Sequence, residues 1–487
     1  MNNGRISFAV FVFILAVFIC LCNSYGQNMV PQLTLKSHWD QHSHLNNFAT
    51  PYNSLWGWTS NTGHEYAILG SLDSIYFFDV TDPAHIKRCD TRAGRYNNCV
   101  NREFKTYKNY CYAVSDNSPY CSLQVFDMSY LPDSVHKVYD SDSLSSGAHS
   151  LFIDGTRLYL TWNKRAYGPH QNSDIPMTVL SIQKPDSPVF VADLVAPIGG
   201  NNSPEFNYVH DGFARNDTVY CCCGTSGMFI YNYKDSLNPV LLQIISNYTQ
   251  AGYNHSCWLS PDGNMLLFSD ENAYAKVKLY DVSDLKTTPT QPVLKPLCLF
   301  GSHDTLGSTA HYGYMKGKYI YMSYYEDGVV IFDMSDSQNV REVTSYDTYP
   351  QNASGLYHGL IGCWNNYPFF ASGNIIASDM QNGLFVLGID SVSAINSNYI
   401  NGNQLDIKIL NNPFHDQIRF TTNARLPQEL KINIFDVVGK KLVSTDYSIP
   451  SGMSSHSIAC PFINNGALVF SATTNSSTYT RKLIKTE

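Results

Sequence analysis

A short pattern of apolar and acidic residues recurs seven times along this chain of 487 residues, and it constrains the fold more than any other feature. Each copy starts with a short strand, turns into a second strand rich in tyrosine, and closes with a third strand that ends in an acidic turn. The clearest copy starts at His311, continues through residues 319–323, turns at 326–328 and closes at 329–336. Other copies close at residues 77–83, 125–129, 230–235, 279–284 and 385–390.

The copies follow one another at roughly 45 to 60 residues, which is the length of a four-stranded propeller blade. Helical periodicity is scarce, and short β-rich runs are separated by Gly, Asn, Asp and Ser. We therefore predict an all-β fold, a seven-bladed β-propeller over residues 27–390. The last copy lacks an outer strand, and residues 30–39 are expected to supply it, closing the ring and removing an exposed edge.

A composition change follows the last copy. Residues 391–403 are rich in Ser and Asn and are predicted to be a linker. Residues 404–487 again alternate apolar and polar residues, most clearly over 430–444, and are predicted to form a small C-terminal β-sandwich.

The first 26 residues have the order of a signal peptide. A basic, polar start is followed by an apolar run from Ile6 to Cys22 and then by small residues before Gln27, so cleavage is expected between Gly26 and Gln27. The alternative is a retained membrane anchor, because the run is only slightly shorter than a span. No other segment is apolar enough to span a membrane, so the mature chain is expected to have no membrane span.

The net charge and the cysteine content bear on the class of binding partner and on the cellular compartment of the protein. The net charge is −8 and no basic cluster is present, which argues against nucleic acid as a partner. Of 13 cysteines, 11 follow the signal peptide, in a chain expected to meet oxidising surroundings. Cys111 with Cys121 and Cys89 with Cys99 are the candidate disulfide pairs, and residues 221–223 are interpreted as buried thiols of a strand.

Aligning the copies from their acidic endings places one residue of each at an equivalent position, in front of the innermost strand. The turns between the second and third strands are expected at the same mouth of the central channel, and they carry carboxylates. The aligned residues are Trp56, Arg102, His149, His210, His255, His311 and His358, and the turn carboxylates are Asp116, Asp270, Glu271, Glu326, Asp327 and Asp379.

Two interpretations of these residues remain open. Imidazoles and carboxylates that converge on one funnel could bind a divalent cation or act as acid and base. A residue repeated in most blades could instead fix the junction between blades. Seven residues in a ring are mostly too far apart to share one ion at a bond length of about 2.1 Å, but two adjacent histidines and a turn carboxylate could meet. Trp162, Tyr324 and Tyr325 lie near the same turns and could stack on sugar rings.

The repeat region of the chain resembles a known family. Residues 33–39, 54–58, 65–70 and 78–83 are similar to the opening of the choice-of-anchor B proteins, which carry LVIVD-type repeats, and residues 148–154 match a second signature of that family. The resemblance covers about residues 33–390. It implies a propeller-like secreted or cell-surface protein joined to varying anchors, and no particular reaction.

The end of the chain resembles the type A sorting domain of type IX secretion. The similarity rests on the Asn-Pro-Phe turn, on the hairpin around residues 435–440 and on a basic, apolar strand at 480–485. It implies that the type IX secretion machinery is a partner, and that the body is released or fixed to the outer surface after the tail is removed. An ordinary small sandwich is the alternative. The sorting-motif residues are Asn412, Pro413, Phe414, Asp436, Gly439 and Lys440.

These features predict an exported propeller that acts as a recognition module for an extracellular carbohydrate or protein, by analogy with other propellers. A metal-assisted hydrolase or lyase with its site in the histidine-lined funnel is the rival, and a structural subunit of a surface or motility apparatus is a third interpretation. No nucleophile elbow, His-Glu-x-x-His helix or phosphate loop is present. A divalent metal is thus a cofactor that no specific motif supports.

Overall fold

The computed structural model describes residues 29–41, 50–117, 119–168, 171, 173–194, 205–287, 292–302, 307–350, 359–393, 405–424, 427–436, 440–474 and 478–486. It divides into two compact units, one of which is Leu33–Ile389, while the other contains Asp390–Glu487. The predicted cleavage site at Gly26 and Gln27 lies outside the described residues.

Seven four-stranded antiparallel sheets make up the first unit. Each consists of consecutive strands except the last, which takes its fourth strand from the start of the chain. From the first strand outward, the blades are: blade 1, β2 (Tyr52–Thr59), β3 (Glu65–Ser71), β4 (Ser74–Asp79) and β5 (Lys87–Ala93); blade 2, β6 (Arg102–Tyr107), β7 (Tyr110–Ser115), β8 (Leu123–Asp127) and β9 (His136–Ser141); blade 3, β10 (Ser150–Asp154), β11 (Arg157–Asn163), β12 (Ile175–Ser181) and β13 (Val189–Leu194).

The remaining blades repeat the arrangement, and one short helix, α1 (Asp284–Thr287), is present in the described part of blade 5. They are: blade 4, β14 (Asp211–Arg215), β15 (Thr218–Cys222), β16 (Met228–Asn232) and β17 (Val240–Ile245); blade 5, β18 (Asn254–Leu259), β19 (Met265–Asp270), β20 (Val277–Asp281) and β21 (Lys295–Phe300); blade 6, β22 (Ala310–Lys316), β23 (Tyr319–Tyr324), β24 (Gly328–Asp333) and β25 (Arg341–Tyr346); blade 7, β26 (Cys363–Tyr367), β27 (Ile375–Asp379), β28 (Gly383–Ser393) and β1 (Met29–Trp39).

The first strands of the blades form a closed ring. Each contacts the first strand of the next blade, and β26 of the last blade contacts β2 of the first. Apolar side chains fill the space between neighbouring blades, as where Phe152 and Met177 of blade 3 pack with Phe229 of blade 4. No single sheet covers its own apolar face, so the ring is the arrangement that buries both faces of every blade. The predicted seven-bladed propeller is confirmed.

The acidic endings that define the sequence repeat have a local role. Asp79, Asp127, Asp281 and Asp333 end the third strands, and each accepts a hydrogen bond through Oδ1 from the backbone N–H two residues ahead, at 2.8–2.9 Å. Such Asx turns satisfy the backbone where the strand stops and direct the chain toward the outer strand. The repeat is therefore a turn signal, recurring because every blade needs the same turn.

The N-terminal strand closes the ring as predicted, because β1 pairs with β28 as the outer strand of blade 7. Its Leu33 is 3% exposed and joins a core cluster with residues of blades 6 and 7. Its Trp39 packs instead on Tyr52, Tyr76 and Phe78 of blade 1, at ring-centroid distances of 5.9, 5.1 and 4.7 Å. The strand thus connects the last blade to the first.

The second unit consists of two antiparallel sheets around one apolar core. Phe414, Phe420, Ile434, Phe470 and Leu483 are among its buried residues. The sheets are β29 (Leu405–Ile409), β30 (Gln417–Ala424) and β33 (Gly452–Ala459) in one, and β32 (Lys441–Ile449), β31 (Gln428–Asp436), β34 (Gly466–Thr473) and β35 (Thr478–Lys485) in the other.

Within the described part of the chain, no helix has the length and apolar composition needed to cross a membrane.

Candidate functional site at the propeller mouth

Four histidines of blades 3 to 6 lie side by side at the start of the first strands. His149 and His210 immediately precede β10 and β14, and His255 and His311 are the second residues of β18 and β22. Their ring centroids are separated by 4.1, 4.5 and 4.3 Å along the series from His149 to His311. Equivalent positions in neighbouring blades therefore bring these imidazoles close together, closer than the widely spaced ring that the alignment suggested.

The alignment was wrong in blade 1, and the structure shows a different residue in blade 7. Pairing of β2 with β3 and of β26 with β27 places Asn53 and Trp364 at the position of His255, whereas Trp56 lies further along β2. His358 lies outside the described residues. Trp56 lies three residues beyond Asn53, whereas the register shift between Tyr52 and Leu55 accounts for only one residue of this difference.

A carboxylate meets two of the histidines. One ligand atom each of His210, His255 and Glu271 lie within 4.8 Å of one another. Glu271 follows β19, and its Oε2 is 3.9 Å from His255 Nε2 while its Oε1 is 3.8 Å from His311 Nε2. Tyr325 donates a hydrogen bond to the same Oε1 at 2.7 Å, which orients the carboxylate. Two imidazoles and a carboxylate form a donor set that Zn²⁺ accepts in catalytic sites.

The outer two histidines have other partners. His149 Nδ1 lies 2.9 Å from Asp116 Oδ2, and His311 Nδ1 lies 2.6 Å from the carbonyl oxygen of Trp364 in the next blade. Burial opposes the charged form of His149, but the hydrogen bond and the charge of Asp116 outweigh it and raise the pKa of that imidazole. His311 thus fixes the junction between blades 6 and 7, the structural role that the sequence left open for the whole set.

The inner two histidines have no hydrogen bond as short as these, although each ring lies near the backbone of the next blade, that of His255 for His210 and that of His311 for His255. His210 and His255 are 5% and 2% exposed, and the Nδ1 atom of each is buried with no hydrogen bond to any described residue. Burial, and then the neighbouring imidazoles, hold the pKa of His210 well below its usual value. Burial and the charge of His149 lower the pKa of His255 to about 3. Both rings are therefore neutral near pH 7 and keep a lone pair for a metal.

Asp270 and Asp379, two of the predicted site carboxylates, do not reach this mouth. They are the last residues of β19 and β27, and adjacent strand residues point to opposite sides. Asp270 is instead fully buried against Lys278 Nζ at 2.5 Å and accepts a hydrogen bond from Tyr248 at 2.7 Å. The residue after it, Glu271, which was also among the predicted turn carboxylates, faces the histidines instead.

Asp379 has a structural position in blade 7. Its Oδ1 accepts hydrogen bonds from the backbone N–H groups of Gln381 and Asn382 at 3.0 and 2.8 Å, and its Oδ2 accepts one from Thr348 at 2.8 Å. Burial raises the pKa of this carboxyl to about 7, although these bonds oppose the shift.

Asp379→Asn is expected to leave the fold intact and to make the free energy of unfolding less dependent on pH. The native protein holds this proton between about pH 4 and pH 7, whereas the unfolded chain has released it, so stability falls as pH rises through this window. The wild type should lose roughly 2 kcal/mol more than the variant between pH 5 and pH 7. Chemical denaturation at both pH values measures this. Parallel pH profiles of the two proteins would contradict the raised pKa.

The remaining predicted residues lie around the mouth but outside the histidine–carboxylate cluster. Glu326 is buried, at 2% exposure, and Asp327 lines a cavity of about 250 Å³ with Tyr274, Lys276 and Tyr324. Arg102 occupies the aligned position of blade 2, yet its guanidinium donates to the backbone carbonyls of Ser71, Leu72 and Tyr96 and is 2% exposed.

The aromatic residues proposed for sugar stacking differ in accessibility. Tyr324 and Tyr325 are 2% and 1% exposed, so their faces are covered. Trp162 is half-buried and stacks on Tyr208 at 4.3 Å between ring centroids, and the Tyr208 hydroxyl lies 3.1 Å from that of Tyr253. This aromatic group adjoins His149 and His210, whose rings are 5.8 Å from Trp162 and 5.1 Å from Tyr253, respectively.

The sequence analysis missed two carboxylates on the first strands. Glu103 accepts hydrogen bonds from Ser54 at 2.7 Å and Trp364 at 3.0 Å, and Asp211 accepts one from Ser150 at 2.6 Å. Burial raises the pKa of both carboxyls. Each follows an aligned residue, Arg102 or His210, and this adjacency is the signal that could have found them.

The sorting-motif residues tie the two ends of the second unit together. Asn412 Oδ1 accepts a hydrogen bond from the N–H of Ile484 at 2.8 Å, and its amide donates to the carbonyl of Lys482 at 3.2 Å. Phe414 is 1% exposed, and its N–H donates to the carbonyl of Ile484 at 2.9 Å. Pro413 lies between these two anchors. The Asn-Pro-Phe turn therefore holds the last strand in place.

The two described ends of the hairpin motif are hydrogen bonded to each other. The N–H of Lys440 donates to Asp436 Oδ1 at 2.8 Å, and the N–H of Asp436 donates to the carbonyl of Lys440 at 2.9 Å. Gly439 lies outside the described residues. The two motifs thus mark a turn and a hairpin of one folded unit.

Comparison with protein families decides what this unit is. Residues 408–486 match the family described as a secretion system C-terminal sorting domain. The chain carries a type IX sorting domain. It is consequently secreted and released or attached at the outer surface, and the sorting domain implies the type IX secretion machinery as a partner.

Two solved structures are similar to a large part of the chain. The WD40 repeats of RRP9 are 10% identical, with a TM-score of 0.47, and the match covers 74% of this chain and 99% of that one. A putative 6-phosphogluconolactonase from Bacteroides uniformis is 14% identical, with a TM-score of 0.47 and coverage of 84% and 100%. No curated protein matches the chain in sequence. No activity of either protein is assigned to this chain.

Proposed function

We propose that this secreted propeller binds a divalent transition metal at its mouth through His210, His255 and Glu271, and that it acts there as a metal-assisted hydrolase or lyase. The observation that carries the proposal is the convergence of two imidazoles and one carboxylate within 4.8 Å. Tetrahedral zinc at bond lengths of about 2.0–2.2 Å needs its ligands somewhat closer than this, a change that side-chain rotation can supply.

The surroundings of the three residues support a ligand role. His210 and His255 are buried and neutral, and a buried Nδ1 atom without a partner is costly unless something binds it. Tyr325 holds Glu271 from behind, as outer-shell hydrogen bonds do for metal-binding carboxylates. His311 has a short hydrogen bond to the backbone of the next blade, whereas His210 and His255 approach that backbone without one, so their rings are less committed to the blade junction.

A metal held by three protein ligands keeps a position open for water or substrate and supplies a nucleophile or a polarised carbonyl. Around it, this chain offers His149 with Asp116 on one side and Tyr325 with His311 on the other. The first group can exchange a proton with a bound ligand, and the second can donate a hydrogen bond. These groups suit hydrolysis or proton abstraction. Neither reaction identifies the substrate.

Zinc titration of the full-length secreted protein tests the metal site. We expect one equivalent of Zn²⁺ to bind, and His255→Ala and Glu271→Gln each to weaken binding by about 100-fold or more, because each removes a ligand. Isothermal titration calorimetry gives the stoichiometry and affinity, and cobalt substitution reports a tetrahedral site by its absorption.

His85→Ala is the matched control for this titration. It makes the same substitution at a side chain that is 83% exposed and paired only with Asp82 among the described residues, so binding should be unchanged. Equal affinity of the wild type and His255→Ala would overturn the proposed site, and so would the absence of any bound metal after elemental analysis.

A recognition module for an extracellular carbohydrate is the second candidate. It is supported by the half-buried Trp162 and Tyr208 stacked beside the histidines, because aromatic faces bind sugar rings. Glycan-array binding that survives His255→Ala but is lost in Trp162→Ala would favour recognition without metal. An extracellular protein is the other class of ligand for this recognition function.

We further propose that the propeller is of the choice-of-anchor B type, with LVIVD-like repeats over residues 27–390, a signal peptide over 1–26, a linker over 391–403 and the tail at 404–487. The support is the recurring Asp-terminated third strand at residues such as Asp79, Asp127 and Asp333. Amino-terminal sequencing of the secreted protein tests the cleavage between Gly26 and Gln27.

A further inference from the structure

Two cysteines that the sequence did not pair are in contact in blade 2. Cys99 lies on the connection between β5 and β6, and Cys121 lies between β7 and β8. Their Sγ atoms are 3.5 Å apart, and the side chains are 0% and 1% exposed. The pairs expected from the sequence, Cys111 with Cys121 and Cys89 with Cys99, are not formed; all 11 cysteines in the described residues are thiols.

We propose that Cys99 and Cys121 form a disulfide bond in the secreted protein. The two sulfurs, 3.5 Å apart as thiols, need to approach to about 2.05 Å to form the bond. The chain leaves the cytoplasm, and cysteines in contact outside it are normally oxidised.

The surroundings favour reaction at Cys99. The guanidinium of Arg102 lies beside the pair, and the hydrogen bond from Cys121 together with this charge lowers the pKa of Cys99 to about 6 against the effect of burial. The thiolate is the form that attacks a disulfide. No equivalent cation adjoins Cys111, and burial raises the pKa of that thiol beyond its usual range.

The bond requires an oxidant, and a protein disulfide of the extracytoplasmic thiol-oxidising class is the one proposed. The Cys99 thiolate attacks this disulfide, forming a mixed disulfide and releasing one thiolate. Cys121 then loses its proton and attacks Cys99 Sγ, releasing the second. Two protons are lost from the chain and two electrons pass to the oxidant. Both thiols are buried in the folded blade, so the oxidant has access to them before blade 2 closes. The bond then forms because the fold brings the two connections together, and the acidity of Cys99 described above applies to the folded blade.

The bond would fix two connections that bear on the mouth. Asn101, two residues after Cys99, donates to Asp116 Oδ2 at 3.1 Å, and Asp116 is the partner of His149. The tethered segments also stack Tyr96 on Tyr120 at 5.2 Å. A link between residues 99 and 121 thus holds the Asp116 side of the histidine series.

Peptide mapping of the full secreted protein, alkylated without reduction, tests the disulfide. Tryptic cleavage after Arg95 and Arg102 isolates Cys99 on one short peptide, whereas Cys111 and Cys121 share the peptide 109–137. We expect these two peptides to be joined, in the wild type and in Cys111→Ser alike, and to be separate in Cys121→Ser. Full alkylation of Cys99 in the wild type, or loss of the link in Cys111→Ser, would overturn the proposal.

Thermal unfolding gives a second measurement. Closing a 22-residue separation should raise the Tm by about 5 °C, so reductant should lower the Tm of the wild type and leave that of Cys99→Ala unchanged. An equal effect of reductant on both proteins would count against the bond, and so would no effect on either.

Discussion

Leu33→Ala is expected to lower the free energy of unfolding of the propeller by about 2–4 kcal/mol, the range for a buried leucine reduced to alanine. Leu33 is 3% exposed and packs between blades 6 and 7, with Val329, Ile331 and Leu387 in its cluster. Its N–H also donates to Thr344 Oγ1 at 2.8 Å, so the strand position itself is anchored. Chemical denaturation monitored by tryptophan fluorescence measures the loss.

Leu35→Ala is the matched control, since it makes the same change two residues further along β1. Leu35 is 41% exposed, and its replacement should cost less than about 1 kcal/mol. The ratio of the two losses in unfolding free energy tests whether β1 pairs with β28 and whether Leu33 is buried by that pairing. Equal small effects would mean that the N-terminal segment does not close the ring.

Deletion of residues 29–41 should have a larger effect than either substitution. It removes the outer strand of blade 7 and the contacts of Trp39 with blade 1, leaving an open edge on β28 and an uncovered apolar face. The truncated protein should unfold without a cooperative transition, and a peptide of residues 29–41 added in excess should restore that transition.

The fold was predictable because its signals are local and repeated. The Asp that ends the third strand of blades 1, 2, 5 and 6 serves its own Asx turn, so one turn chemistry marks these blades regardless of what surrounds them. Ring closure was predictable for a related reason. The last copy has only three strands, and the start of the chain has one strand without a partner. Pairing them is the arrangement that leaves no open sheet edge. Neither inference needed long-range information.

The site was only partly predictable, because it depends on register to a single residue. Asp270 and Glu271 are adjacent and chemically alike, and the strand alternation that sends one to Lys278 and the other to His255 is set by pairing within β18 and β19. In blade 7 the alignment chose His358, six residues before Trp364, which is more than the one-residue register shift between Cys363 and Asn365 accounts for. Bulges change a count by one without leaving a sequence signal.

The contact of Cys99 with Cys121 lay beyond sequence reasoning for a different reason. Both residues are on connections, and connection paths are not set by strand periodicity. Proximity along the chain favoured Cys111 for Cys121, but Cys111 faces the apolar core with Ile75 and Phe126. The alternation along β7 decides this, because it directs Cys111 into the sheet packing and leaves the connection after β7 free to reach Cys99.

Phe414→Ala is expected to abolish most secretion of the protein while leaving the propeller folded. Phe414 is 1% exposed in the core of the sorting domain, and truncating a buried phenylalanine costs about 3–5 kcal/mol. A domain of this size has a total stability of only about 5–15 kcal/mol, so much of it would be lost. The turn would also release Ile484 and the last strand, whose backbone pairs with Phe414.

His415→Ala, at the next and exposed position, is the control for this effect. Lys485 contacts the backbone carbonyl of His415, which the substitution keeps, and the side chain loses only a long 3.5 Å contact of its Nδ1 with Thr486 Oγ1. In a bacterium with a type IX system, immunoblots of medium and cell fractions should find His415→Ala outside and Phe414→Ala retained in the cell. Since the sorting domain and the propeller have separate cores, purified Phe414→Ala should still show the cooperative unfolding of the propeller. If Phe414→Ala is exported as well as His415→Ala although its sorting domain is unfolded, the machinery reads the tail as an extended sequence and not as the folded turn and strand.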